Sequence, residues 1–262
     1  MTLAARANRW PGAARAGAAR TLALLALPAV ITAAVTLAAC GLQAAPPAPT
    51  SAGPTSPGTA TTAAPDADRG LIVFDGCSLV YDSGLAAADM MPDQTMALLP
   101  RELKMLNLGV PGQTTGMMAA DAADQVDPLA SPRRVHDILV VWEGTNDLAY
   151  GTSPPLDAAE AYRNLARYCW ARRRAGFQVV VCTVLPREGS AAFDAARSDL
   201  NKRLRAGWPG FADALADVAA DPTVGPAGAE LDTAYYRDTV HLTPAGYALV
   251  ARRVADAVRG LL

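Results

Sequence analysis

From Leu71 onward, short apolar runs alternate with helix-like stretches, and this alternation restricts the fold more than any other feature of the chain. Leu71 to Asp75 precedes Leu85 to Leu99, and Lys104 to Leu108 precedes Thr115 to Asp124. Asp137 to Trp142 precedes Leu156 to Ala175, Gln178 to Leu185 precedes Ala191 to Ala206, and Ala212 to Asp217 precedes Pro244 to Leu262. Five strand–helix units in succession predict a parallel sheet, because parallel neighbours need a crossover that a helix supplies. Right-handed crossovers then put helices on both faces, which gives an α/β, doubly wound, three-layer sandwich. Residues 71–262 form this domain, and no internal repeat is evident within it.

In open α/β sheets ligands bind beyond the carboxyl ends of the strands, so the strand ends carry the functional reading. The first run stops abruptly in Gly76-Cys77-Ser78-Leu79, which places a serine at the lip of a strand. The second leads into Asn107-Leu-Gly109-Val-Pro-Gly112, where Gly109 lets a backbone N–H approach a ligand, or both glycines simply shape a turn. The third ends in Glu143-Gly-Thr-Asn146-Asp147, whose Asn146 amide either donates to an oxyanion or serves an Asx turn or a helix cap. Before the last helix lies Asp238-Thr-Val-His241. An acid three residues ahead of a histidine on a tight turn reaches one imidazole nitrogen and leaves the other facing a nucleophile. The only other histidine, His136, precedes the third strand at the opposite end of the sheet and reads as an exposed surface residue.

These four blocks, in this order, resemble the SGNH subgroup of the GDSL esterases and lipases. The resemblance covers Gly76 to His241 and implies a flavodoxin-like five-stranded sandwich and a serine hydrolase acting on carboxylic esters. It assigns the nucleophile to Ser78, the base to His241, the orienting acid to Asp238, and the oxyanion hole to Ser78, Gly109 and Asn146. No metal or cofactor is implied. One departure stands out: the family's Gly-Asp-Ser-Leu reads Gly76-Cys77-Ser78-Leu79. The lost aspartate supports the local turn, so restoring it at position 77 is expected to keep or raise activity. Cys77 as an alternative nucleophile competes with Ser78, although adjacent residues on an extended turn point in different directions.

The loop Pro186 to Ser190 is short and no apolar insertion resembles a lid, which favours small or soluble acyl esters, such as acetyl groups on glycans. Acyl transfer to a sugar hydroxyl and a carbohydrate-binding module that has lost its chemistry are the alternatives.

The front of the chain is different. Residues 1–20 hold four arginines and no acid, and Thr21 to Ala39 is uncharged and apolar, as in an export signal. The run ends in Leu37-Ala-Ala-Cys40, which resembles a bacterial lipobox and implies lipid on Cys40, anchoring the protein to the outer face of the cytoplasmic membrane or the cell envelope. An uncleaved membrane helix is the competing reading. Residues 41–70, rich in Pro, Ala and Thr, cannot build a core and read as a tether. The whole chain carries −2, and residues 1–40 contribute +4, so the remainder carries −6. An acidic domain without a basic run argues against nucleic acid as a partner. Beyond Cys40, three cysteines remain; Cys169 and Cys182 are either a disulfide or two small buried hydrophobes.

Overall fold

The computed structural model describes residues 69–262 except 83 and 152. The predicted signal segment, Cys40 and the tether lie outside the described residues. Five parallel strands form one sheet: β1 (Gly70–Gly76), β2 (Leu103–Asn107), β3 (His136–Trp142), β4 (Gln178–Cys182) and β5 (Ala214–Ala216), in the order β2-β1-β3-β4-β5. β1 and β3 are the most buried strands, and their sequences, Leu-Ile-Val-Phe and Ile-Leu-Val-Val-Trp, are continuous apolar runs rather than alternating ones. Such runs suit strands covered on both faces.

Among the described residues six α-helices accompany the sheet: α1 (Met91–Met96), α2 (Thr115–Gln125), α3 (Thr145–Ala149), α4 (Ala158–Ala175), α5 (Ala191–Gly207) and α6 (Pro244–Arg259). On one face Ile72, Phe74, Ile138 and Val140 pack with Met91 of α1 and with Val250 and Val254 of α6. On the other, Val73, Leu139 and Val141 pack with Met118 of α2, Leu165 of α4 and Leu200 of α5. The predicted three-layer sandwich is therefore present, with its strand order reversing between β1 and β3. Among the described residues no helix is long and apolar enough to cross a membrane.

The long helices start where the sequence offers caps. Asp157 accepts from the Glu160 N–H at 2.7 Å, Ser190 accepts from Phe193, and Thr243 accepts from Gly246 with Pro244 opening the helix. The expected helix over Leu85 to Leu99 is broken instead. Pro92 is tolerated only in a first turn, so Met90 stays extended and a fresh helix of six residues begins after it. β4 ends at Cys182, three residues earlier than expected, because only Gln178 to Val181 pair with β3 and β5 reaches no further than Cys182. α3, a single turn, begins after Glu143 and Gly144, two residues beyond the end of β3.

Cys77, Cys169 and Cys182 are free thiols in the core. Cys182 belongs to the core on the α1/α6 face and Cys169 to the one on the α2/α4/α5 face, so the two do not form the disulfide that their spacing left open. His136 begins β3 and is half-buried, its Nδ1 3.2 Å from Gln178 Oε1. That corrects the exposed position expected for it.

Candidate active site

Register brings the strand-end blocks to one level. Gly76 of β1 pairs with Trp142 of β3, so Ser78 and the Gly144–Asn146 segment emerge side by side. Gly76 has φ +152°, and a Cβ there would lie 2.2 Å from the Trp142 carbonyl oxygen, so the chain leaves the strand only because no side chain is present. The turn that follows is closed by the Val80 and Tyr81 N–H groups donating to the Cys77 carbonyl.

Ser78 and Cys77 face opposite ways across this turn. Ser78 Oγ lies 2.9 Å from His241 Nε2, whereas Cys77 is wholly buried. Burial first, and then the charge of Glu143, push the Cys77 thiol well above its ordinary range. A thiol held neutral and turned inward is no nucleophile, which removes Cys77 from that role.

His241 is delivered by a tight loop. Tyr236 bridges Leu242, the Arg237 N–H donates to the His241 carbonyl, and the Thr243 N–H donates to Tyr235. Within it Asp238 Oδ1 accepts from the Val240 and His241 N–H groups at 2.8 and 2.7 Å, and Oδ2 lies 2.9 Å from His241 Nδ1. Partial burial pulls the Asp238 carboxyl upward, but these N–H bonds and the imidazole leave it below the usual carboxylate range. A carboxylate accepts only, so Nδ1 carries the proton and Nε2 is left to accept from the Ser78 hydroxyl. The turn after Ser78 and the Asp238–His241 loop are pinned together by Arg237, which pairs with Asp82 four residues beyond Ser78.

Asn146 sits at the start of α3 and is buried, its Nδ2 donating to the Gln113 carbonyl at 2.8 Å. Behind it Asp147 accepts from the Thr115 N–H and hydroxyl, tying α3 to the start of α2. Burial raises the Asp147 carboxyl, and the Thr115 bonds hold it partly down.

Gly109 does not take the position expected of it. Its N–H donates to Asn107 Oδ1 at 2.9 Å, and a Cβ there would lie 2.8 Å from the Tyr81 nitrogen. Gly109 is a glycine because the loop packs backbone to backbone against the turn after Ser78. Three residues on, Val110-Pro111-Gly112-Gln113 forms a type II turn, closed by the Gln113 N–H on the Val110 carbonyl at 3.0 Å, with Gly112 at φ +78°. Among the described residues the N–H groups of Ser78 and Gly112 have no acceptor. Gly112 therefore fits the expected donor role better than Gly109. The Pro–Gly pair of a type II turn signalled it in the sequence.

The reading of the sequence also missed two buried charged side chains around Asn146. Glu143, the last residue before Gly144, is 1% exposed; its Oε1 accepts from the Gly144 N–H at 2.9 Å and its carboxyl meets the Cys77 thiol. Burial, followed by the charge of Asp147, drives the Glu143 carboxyl well above the usual range. Arg187, after β4, is likewise 1% exposed and reaches Asn146 Oδ1.

Residues 76–249 match the model of the GDSL-like Lipase/Acylhydrolase family. Among solved structures, the chain is similar to a member of the lipolytic protein G-D-S-L family from Veillonella parvula DSM 2008, with 17% identity, a TM-score of 0.56, and coverage of 72% of this chain and 98% of the other. It is similar also to the acetyl xylan esterase AlAXEase, at 16% identity and TM-score 0.52 over 72% of this chain and 99% of that one. A variant of an acetyl-xylooligosaccharide esterase from Geobacillus Stearmophilus gives 16% identity and TM-score 0.56, covering 72% and 93%. No curated protein matches the chain at the sequence level.

Proposed function

The chain belongs to the GDSL-like lipase/acylhydrolase family and is an enzyme of the carboxylic ester hydrolase class, and from that premise we propose that it cleaves small acyl esters through an acyl-Ser78 intermediate. The observation that carries the reading is the continuous line from Asp238 through His241 to Ser78, with both contacts to the imidazole at 2.9 Å. His241 Nε2 takes the hydroxyl proton as Ser78 Oγ attacks the ester carbonyl carbon, and Asp238 stabilises the imidazolium that results. The oxyanion is met by the Ser78 N–H, the Asn146 Nδ2 proton that Gln113 leaves over, and the Gly112 N–H in place of that of Gly109. Each such donor contributes roughly 10² to 10³ in rate when aimed at the transition state. His241 then protonates the departing alcohol, and water, activated by the same imidazole, hydrolyses the acyl-serine.

The substrate we propose is an acetyl ester on a glycan. The exposed Tyr81 and Val110 flank the turn after Ser78 and offer an apolar rim beside the nucleophile, suited to the carbohydrate faces that aromatic rings bind. Two of the similar structures are those of an acetyl xylan esterase and an acetyl-xylooligosaccharide esterase. Acyl transfer to a sugar hydroxyl would use the same acyl-serine. The non-catalytic module loses its support, since the residue at position 77 packs inward and leaves the Ser78–His241 contact intact. The sequence Leu37-Ala-Ala-Cys40 supports export and lipid anchoring on the outer side of a membrane, with residues 41–70 as the tether.

The test is acetate release from acetylated xylo-oligosaccharides and from a chromogenic acetyl ester, against a long-chain ester of the same chromophore. Wild type should prefer the acetyl esters and Ser78→Ala should release nothing. Equal release by Ser78→Ala, or a preference for the long chain, would overturn the nucleophile or the substrate respectively.

A further inference from the structure

An asparagine amide has two chemically opposite ends, and a hydrolase of this design works only if the NH₂ end faces the reacting carbonyl. In this molecule the choice is made by two neighbours. The Gln113 carbonyl, which can only accept, takes a hydrogen bond from Asn146 Nδ2 at 2.8 Å. The Arg187 guanidinium, which can only donate, lies 3.4 Å from Asn146 Oδ1. Rotating the amide by half a turn would put oxygen against oxygen at one end and N–H against N–H at the other.

Arg187 is an unusual residue to find there. It is 1% exposed, and a buried cation is costly unless its surroundings compensate. Nη1 faces Thr145 Oγ1 at 3.3 Å and Asn146 Oδ1, while Nη2 donates to Tyr150 OH at 2.7 Å and to Glu188 Oε1 at 2.9 Å. The guanidinium also lies over the Tyr150 ring, 4.7 Å from its centroid, and 5.8 Å from that of Phe193. Its partial neutralisation by Glu188 thus occurs on the nitrogen turned away from Asn146. The same segment reaches the base: Glu188 adopts a left-handed backbone at φ +59°, and its N–H donates to the carbonyl of Thr239, between Asp238 and His241. A strained non-glycine residue is retained only where its surroundings enforce it, as happens at functional sites.

We infer that Arg187 is a positioning residue for ester cleavage, a buried cation that fixes the orientation of the Asn146 amide and polarises its N–H toward the oxyanion. A positive charge at the amide oxygen draws electron density from nitrogen, which makes the remaining Nδ2 proton a stronger donor as charge develops on the substrate. The inference rests on the ester-hydrolase reading.

The experiment is a double-mutant cycle on the full chain with a chromogenic acetyl ester. Arg187→Met, which keeps the aliphatic length, should lower kcat by roughly tenfold or more with KM little changed, and Arg187→Lys should recover part of the loss. In an Asn146→Ala background, Arg187→Met should change kcat by less than about twofold, because its effect passes through the missing amide. Equal losses in both backgrounds would overturn the proposal, as a merely structural arginine acts regardless of residue 146. Where Arg187→Met does not fold, Arg187→Gln carries the same cycle. A second readout does not depend on turnover: solvent exchange of the Asn146 side-chain amide protons should be slow in wild type and at least about tenfold faster in Arg187→Met. Unchanged exchange would overturn the positioning role. If wild type turns over no ester and matches Ser78→Ala, the hydrolase reading fails separately, and the exchange measurement still decides what Arg187 does to Asn146.

Discussion

Replacing Cys77 with the aspartate usual in this family should destabilise the protein, contrary to what its sequence alone leads one to expect. The Cys77 side chain is fully buried and its thiol meets the Glu143 carboxyl, itself 1% exposed. Glu143 already carries a raised affinity for its proton because of burial and the nearby Asp147. Cys77→Asp adds a second carboxyl to this site, and two carboxyls in contact cannot both ionise. Keeping the new one neutral at pH 7.5, against about 3.9 in the unfolded chain, costs up to 1.36 × 3.6, or about 5 kcal/mol, and leaving it ionised without a partner costs ~3–5 kcal/mol. Either figure is a large part of the total stability of a domain, about 5–15 kcal/mol. The sign follows from linkage: the folded-state pKa of the new acid is raised, so the penalty is small below pH ~4 and grows as pH rises toward the folded value. Urea unfolding of the full chain at pH 5 and pH 7.5 reads this directly. The midpoint of Cys77→Asp should fall below wild type at both pH values and much further at 7.5, and Cys77→Asp/Glu143→Gln should restore the part of the loss that comes from the second carboxyl, burial accounting for the rest. A Cys77→Asp protein as stable as wild type at pH 7.5 would refute the reasoning and show that an acid at position 77 finds partners unrelated to Glu143.

Asp75, buried at the end of β1 beneath the site, has its carboxyl pushed up to about 6 by burial, against the pull of the Tyr168 hydroxyl and the Gly76 N–H. Its raised folded value favours the fold at low pH, an advantage lost as pH rises from about 4 through 6, worth at most ~3 kcal/mol; Asp75→Asn should flatten that part of the stability profile and be the more stable protein at pH 8 by chemical denaturation. Asn146→Ala should lower kcat ~10²-fold or more with little change in KM in steady-state ester hydrolysis, whereas an effect confined to KM would make Asn146 a substrate-binding residue. Cys40→Ser should abolish detergent-phase partitioning of the full chain, and equal membrane retention with an uncleaved N-terminus would favour a helical anchor.

The fold and the pairing of Asp238 with His241 were legible in the sequence because both depend on local signals. Continuous apolar runs between capped helices specify a covered parallel sheet, and Asp238 to His241 is a four-residue loop whose own backbone aims the carboxylate at the ring. The two glycines after β2 were harder to tell apart, because both fit a tight turn. What separates them is a contact across the chain, Gly109 against Tyr81, while Gly112 stands in the open turn with its N–H unengaged. The break at Pro92 was readable from proline chemistry, and the reading passed over it.

Glu143 and Arg187 could not be found in this way, because each looks unremarkable among its sequence neighbours and acquires its meaning only when strand ends distant in the chain converge. A glutamate before Gly144 would ordinarily be a solvated end of a strand, and Arg187-Glu188 an exposed loop pair. The parallel register instead brings Cys77 of the first strand against Glu143 of the third, and the exit from β4 carries Arg187 behind Asn146. Glu143 holds the Gly144 N–H on one side of the segment that carries Asn146, and Arg187 holds the Asn146 amide oxygen on the other. With a carboxyl already supplied from β3, a small thiol is what the first turn can bury beside it where the family motif has an aspartate.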